Sequence, residues 1–157
     1  MPKTFSAEAQ KDFEWLLSRY PQKRAALLPV LRLIEKEFGR VDPEGMELAA
    51  TLLGMSPAEV LGVVTFYTHY KREHDGKYVV WVCNTLPCAL RGSGKLTAQI
   101  EKKLGCKAGQ TTADGKFTLK KAECLASCDT APCMQIDEDH YDNVSDAKLD
   151  EIFGKYK

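Results

Sequence analysis

The chain has 157 residues, 44% of them hydrophobic and 28% charged, which suits one generous domain or two small ones and argues against disorder. Its 22 basic and 22 acidic side chains cancel, so no basic face announces nucleic acid and none is expected as a partner. The opening MPKTFSAEAQKDFEW has no apolar signal-peptide core and nothing resembles a membrane span, so neither secretion nor direct membrane insertion is expected.

The first half reads as helical. Ser6 suits an N-cap, and Phe13, Leu16, Leu17 and Tyr20 form roughly one stripe before Pro21 interrupts it. A second run, Gln22 to Phe38, carries Leu27, Leu28, Leu31 and Ile34 on one face and stops at Gly39. Pro29 within it should bend the helix or mark where its regular part begins. Asp42-Pro43 opens a third segment with Leu48, Leu52 and Leu53, ended by Gly54. Ser56 and Glu59 then have the spacing of a capping box. Phe66, Tyr67 and Tyr70 are expected to be partly co-facial on the last helix, sealing the chain's two domains to each other or gripping a partner. Helices this short cannot each bury a stripe alone, so a small bundle over residues 1–75 is the expectation.

Glu73-His74-Asp75-Gly76 is a polar break, after which the period changes. Tyr78 to Val82 is almost wholly apolar, the mark of a strand covered on both faces, and it delivers Cys83 at its C-terminal end. Ser93 to Leu104 spaces Leu96, Ile100 and Leu104 for a helix ended by Gly105. Thr111 to Gly115 is turn-rich, and a strand from Phe117 leads into Cys124. Cys133 to Ile136 reads as a further strand, turned back by Asp137-Glu138-Asp139 toward Tyr141. Ser145 can cap a last helix that buries Leu149, Ile152 and Phe153. A β-α-β unit, a hairpin and a closing helix over residues 76–157 are in thioredoxin-like order, so the fold class is α+β.

Four of the six cysteines fall in two short clusters, Cys83-x4-Cys88 and Cys124-x3-Cys128. Without a secretion signal they point to a reducing compartment, where thiols stay free for metal; disulfide pairing is the plainer rival. All-thiolate sets bind zinc or iron–sulfur clusters, and these spacings differ from the C-x2-C pairs of structural zinc sites. A dithiol oxidoreductase would want C-x-x-C at a helix start, which neither cluster has. Two pairs from neighbouring loops can complete both iron tetrahedra of a [2Fe–2S] centre. Amides turned toward sulfur raise its potential, while apolar surroundings lower it. Leu86, Pro87, Ala89 and Leu90 around the first pair, with Leu125, Ala126, Ala131 and Pro132 around the second, suit apolar-sided loops. Cys106, distant from both clusters, reads as a small buried hydrophobe. His69, His74 and His140 lie outside both loops, so Rieske-type ligation and its high, pH-dependent potential are not expected. There is no G-x-G-x-x-G fingerprint and no phosphate loop, so no nicotinamide site is expected on this chain.

Four blocks in order carry a family resemblance: YPQKRAALLP from Tyr20 to Pro29, EVLGVVTFYT from Glu59 to Thr68, CNTLPC from Cys83 to Cys88 with Arg91-Gly92, and ECLASC from Glu123 to Cys128 with Ala131-Pro132. The chain resembles the thioredoxin-like [2Fe–2S] subunit of bacterial complex I, the proton-pumping NADH:quinone oxidoreductase, and its mitochondrial relative. The same module recurs in NAD-linked hydrogenases and NAD-dependent formate dehydrogenases, which remain alternative hosts. The resemblance implies that Cys83, Cys88, Cys124 and Cys128 hold one [2Fe–2S] cluster. It further implies an electron-transfer role without a catalytic residue. FMN and NAD would belong to a partner, the NADH- and FMN-binding subunit, in a heterodimer within a larger complex. That assembly would be a cytoplasmic peripheral arm at the inner face of the membrane. A structural zinc or scaffold module is the non-enzyme alternative. Two positions depart from the family: Ala126 stands where glycine is common, and Cys133 where the family usually has an apolar residue without a thiol. Alanine at 126 asks for a negative φ or room for a small methyl. Cys133 is expected in the core or beside the cluster loop, with rescue of a Cys128 variant as the way to tell.

Overall fold

The computed structural model describes residues 3–156, and the chain divides between Glu73 and His74 into two compact units. No helix among the described residues is long and apolar enough to cross a membrane.

The first unit is a bundle of four helices, α1 (Ala7–Ser18), α2 (Leu27–Phe38), α3 (Pro43–Leu53) and α4 (Pro57–Phe66). Its starts follow the sequence signals. The Ser6 hydroxyl accepts from the Ala9 amide, the Asp42 carboxylate from the Gly45 amide, and Ser56 and Glu59 satisfy each other's terminal amides. The run expected from Gln22 instead begins as a 3₁₀ turn, Lys23–Ala26, before α2. Pro29 therefore falls in the first turn of α2, where no intrahelical donor is missed, and marks the start of the regular helix. Leu27, Val30, Leu31 and Ile34 supply its buried stripe, whereas Leu28, expected on that face, is exposed. The aromatic group also differs from expectation. Helix α4 ends at Phe66, Tyr67 is already extended, and Tyr70 lies beyond the helix. Tyr70 is buried in the bundle core and donates to the Leu28 carbonyl at 3.0 Å, while Phe66 is 78% exposed.

The second unit is a four-stranded sheet of β1 (Tyr78–Cys83), β2 (Phe117–Ala122), β3 (Met134–Ile136) and β4 (Asp139–Tyr141), in the order β2-β1-β3-β4. Strands β1 and β2 are parallel, which requires a crossover; the short α5 (Leu86–Leu90) and α6 (Ser93–Leu104) supply it. Strand β3 runs antiparallel to β1, and β4 returns from it as a hairpin. The turn is shorter than expected: Asp139 already belongs to β4, and Asp137 takes a positive φ of 49°. Val80 and Val82 of β1 pack with Leu96 and Ile100 of α6, Leu119 of β2, and Leu149 and Ile152 of α7 (Asp146–Gly154). Ser145 precedes α7 but its side chain makes no cap hydrogen bond. Cys106 joins this core, in accord with its reading as a small hydrophobe.

Candidate metal centre

Strand parity builds the first half of the site. Successive side chains alternate between faces, so with Val80 and Val82 in the main core, Cys83 is sent to the other side. There it packs with Cys88, Ala131 and Cys133 in a separate small cluster, with Leu125 partly buried against it. Cys88 comes from α5, a five-residue helix with Pro87 in its first turn. The sequence shows only a ligand loop at this point, because one helical turn is too short to display periodicity. Gly92, at φ 95°, then reverses the chain into α6, a conformation that favours glycine. Cys83 and Cys88 are 2% and 1% exposed.

The second pair lies in the irregular stretch after β2, and both Cys124 and Cys128 are exposed. Its backbone is tightly wound. Ala126 sits at φ 59°, so of the two alternatives the loop takes the one that accommodates its methyl at a left-handed position, and its amide donates to Cys124 Sγ at 3.3 Å. The side-chain anchor of this loop was invisible in the sequence. His140 Nε2 lies 3.0 Å from Ser127 Oγ and 3.1 Å from Asp142 Oδ1, and Thr130 donates to the same carboxylate oxygen at 2.7 Å. Thus His140, although exposed, ties the β4 hairpin to the loop between the second pair of cysteines.

The thiols differ electrostatically. Burial pushes Cys83 up, but hydrogen bonds from the backbones of Thr85 and Leu125 and from the Cys88 side chain outweigh it and bring the thiol down to about 7. Cys88 is raised, first by burial and then by its thiol neighbour Cys83. Desolvation also raises Cys128, with Cys124 and Cys83 adding to the shift. Cys133 is pushed up to about 12 by burial and by Cys88. All six cysteines are free thiols.

The sulfurs of Cys83, Cys88 and Cys133 lie within 4.8 Å of one another. Cys124 and Cys128 stand outside that group but interact with each other. The four thiols singled out by spacing therefore form two local pairs, and Cys128 also feels Cys83. With amides directed at sulfur on both sides, this donor set fits a [2Fe–2S]-type group: thiolates in pairs, with hydrogen bonds that stabilise their negative charge. Cys133 is the residue whose position sequence left open. It is both fully buried and close to the site, and its sulfur approaches those of Cys88 and Cys83.

Residues 13–157 match the family model described as thioredoxin-like [2Fe–2S] ferredoxin. Among curated proteins, the chain is 40% identical over 151 residues to NADH-quinone oxidoreductase subunit 2 of Thermus thermophilus, covering 94% of this chain and 83% of that one. It is 39% identical over 155 residues to an NADH-quinone oxidoreductase subunit of Rickettsia conorii, covering 97% and 93% respectively. Among solved structures, an NAD+-reducing [NiFe]-hydrogenase in the air-oxidised state aligns with a TM-score of 0.70 at 18% identity, over 81% of this chain and 22% of that one. At that identity the likeness is one of fold.

Proposed function

The chain belongs to the thioredoxin-like [2Fe–2S] ferredoxin family, and on that premise we propose that it is the electron-transfer subunit of an NADH:quinone oxidoreductase. The observation that carries this reading is the presence of two thiol pairs, each with a backbone amide aimed at sulfur, in a chain 35–40% identical to subunits of that enzyme. Cys83, Cys88, Cys124 and Cys128 would hold the group. When bound, a [2Fe–2S] cluster supplies one reversibly exchanged electron.

The rest of the work falls to the chain. Strand β1 and helix α5 fix Cys83 and Cys88 rigidly in an apolar wall, while the Ala126 amide and the His140–Ser127 bond shape the second loop. Leu86 and Leu90 beside Cys88 are 68% and 79% exposed, an apolar edge suited to burial against a partner. That partner is the NADH- and FMN-binding subunit, with which this chain exchanges electrons in a cytoplasmic peripheral arm. The chain contributes no substrate site of its own.

Co-purification with the flavin subunit tests the role. NADH should reduce the iron–sulfur centre of the heterodimer, seen by EPR, and leave the isolated chain oxidised. A heterodimer whose centre on this chain is never reduced at any NADH-poised potential would reject an electron-transfer role. The equivalent subunit of an NAD-linked hydrogenase is a second reading, favoured only by the fold likeness, and would show as co-purification with a nickel-containing subunit.

A further inference from the structure

Cys133 is a fully buried thiol that the four-ligand assignment leaves without a task. Its Sγ lies 3.8 Å from Cys88 Sγ, within the range of a sulfur–sulfur hydrogen bond. We propose that Cys133 donates its S–H to the sulfur of Cys88 and thereby raises the reduction potential of the cluster held there. The proposal rests on the reading of Cys88 as a ligand.

The backbone fixes this contact. In the β1–β3 register Val82 faces Met134, so the next pair outward is Cys83 with Cys133, and the Cys83 amide donates to the Cys133 carbonyl at 3.2 Å. With Val82 and Met134 in the main core, parity turns Cys83 and Cys133 together toward Cys88. The sheet register therefore places the Cys133 side chain beside Cys88.

Chemistry then sets the direction of the bond. Between two thiols either sulfur can donate. A metal-bound cysteine is a thiolate with no proton, which leaves Cys133 as the donor. A thiol that is 0% exposed beside thiolates keeps its proton, because ionising it would bury another negative charge. Reduction adds negative charge to the cluster and its sulfurs. A donor aimed at one of them binds the reduced state more strongly than the oxidised state, and more so where water is excluded. The backbone amide of Cys133 also points at Cys88 and would survive replacement of the side chain, so only the S–H contribution is at stake in a side-chain variant.

The test compares Cys133→Val, Cys133→Ala and Cys133→Ser in the full chain, with iron and labile-sulfide content, the reduced EPR spectrum and a potentiometric titration for each. Valine keeps volume without a donor, alanine removes both, and serine keeps a donor. Val and Ala variants should retain the cluster but reduce less readily, with the reduction equilibrium constant lowered about three- to tenfold, tenfold being 59 mV for one electron. Cys133→Ser should restore most of the wild-type potential. Equal potentials in wild type, Val and Ala variants would assign Cys133 to packing alone and overturn the proposal. Loss of the cluster from all three variants in folded protein would make Cys133 a ligand, which also overturns it. A wild type without labile sulfide would refute the underlying cofactor reading itself, a failure distinguishable from the other two.

Discussion

The two cysteine pairs are built in opposite ways. Cys83 and Cys88 stand on a strand end and a helical turn, almost wholly buried, and their positions follow from sheet parity and core packing. Cys124 and Cys128 stand on an exposed loop with an alanine at positive φ, and they depend on a few polar contacts from β4 and its flank. Regular structure thus prepares one side of the site, and local turn chemistry the other. Buried positions resist change through packing, whereas the exposed loop is the side open to adjustment.

Removing one thiol from each pair should expose this contrast most strongly. Cys128→Ala should abolish cluster incorporation, since the neighbouring Cys124 is already committed. Cys88→Ala should retain a partial cluster through Cys133, 3.8 Å away, and Cys88→Ala with Cys133→Ala should lose it. Iron and labile-sulfide analysis of the three proteins decides the matter. A cluster in Cys128→Ala, or none in Cys88→Ala while folded, would break the comparison. With any cluster stripped, the two single variants should differ as well. Urea denaturation of Cys88→Ala should show a loss of about 1–2 kcal/mol for truncating a buried side chain, against less than about 0.5 kcal/mol for Cys128→Ala on the surface.

A smaller effect is expected at Ala126. Its left-handed conformation suits glycine, so Ala126→Gly should stabilise the cluster-free protein by about 0.5–1 kcal/mol, while Ala126→Val should destabilise it. Destabilisation by glycine would mean that the methyl group packs usefully in this exposed loop.

The smallest effect concerns acid. Hydrogen bonds from Thr130 and Ser127, with His140 nearby, hold the Asp142 carboxyl below the usual carboxylate range despite some desolvation. A carboxyl lowered in the folded state stabilises above its unfolded value and loses that contribution as pH falls through its folded value. In cluster-free protein, wild type should therefore be slightly more stable than Asp142→Ala at pH 6, and the gap should close below about pH 4. A gap that widened on acidification would contradict the loop anchor.

Much of this was legible in the sequence, and the reasons are specific. Capping residues at Ser6, Asp42 and Ser56 act locally, so their helix starts could be read without tertiary knowledge. The apolar run ending at Cys83 gave both a strand and its chemical terminus. Cys88 in a helical turn was not legible, because α5 has five residues and no period. The environment of Cys133 required the β1–β3 register, which no local pattern encodes; once Val82 faces Met134, parity supplies the answer. Tyr70 was misread because a helical spacing was extended past the point where α4 stops. The His140–Ser127 contact joins residues 13 positions apart through the hairpin, and single-residue reading offered no sign of it.

A [2Fe–2S] cluster on these thiols, and not a metal ion alone, is what the proposed role requires. Iron, zinc and acid-labile sulfide should be measured together on wild type purified anaerobically from iron-replete cells. Equal amounts of iron and labile sulfide, at one cluster per chain and with negligible zinc, are the predicted result. Stoichiometric zinc without labile sulfide would show that the thiols hold a metal ion and no [2Fe–2S] cluster.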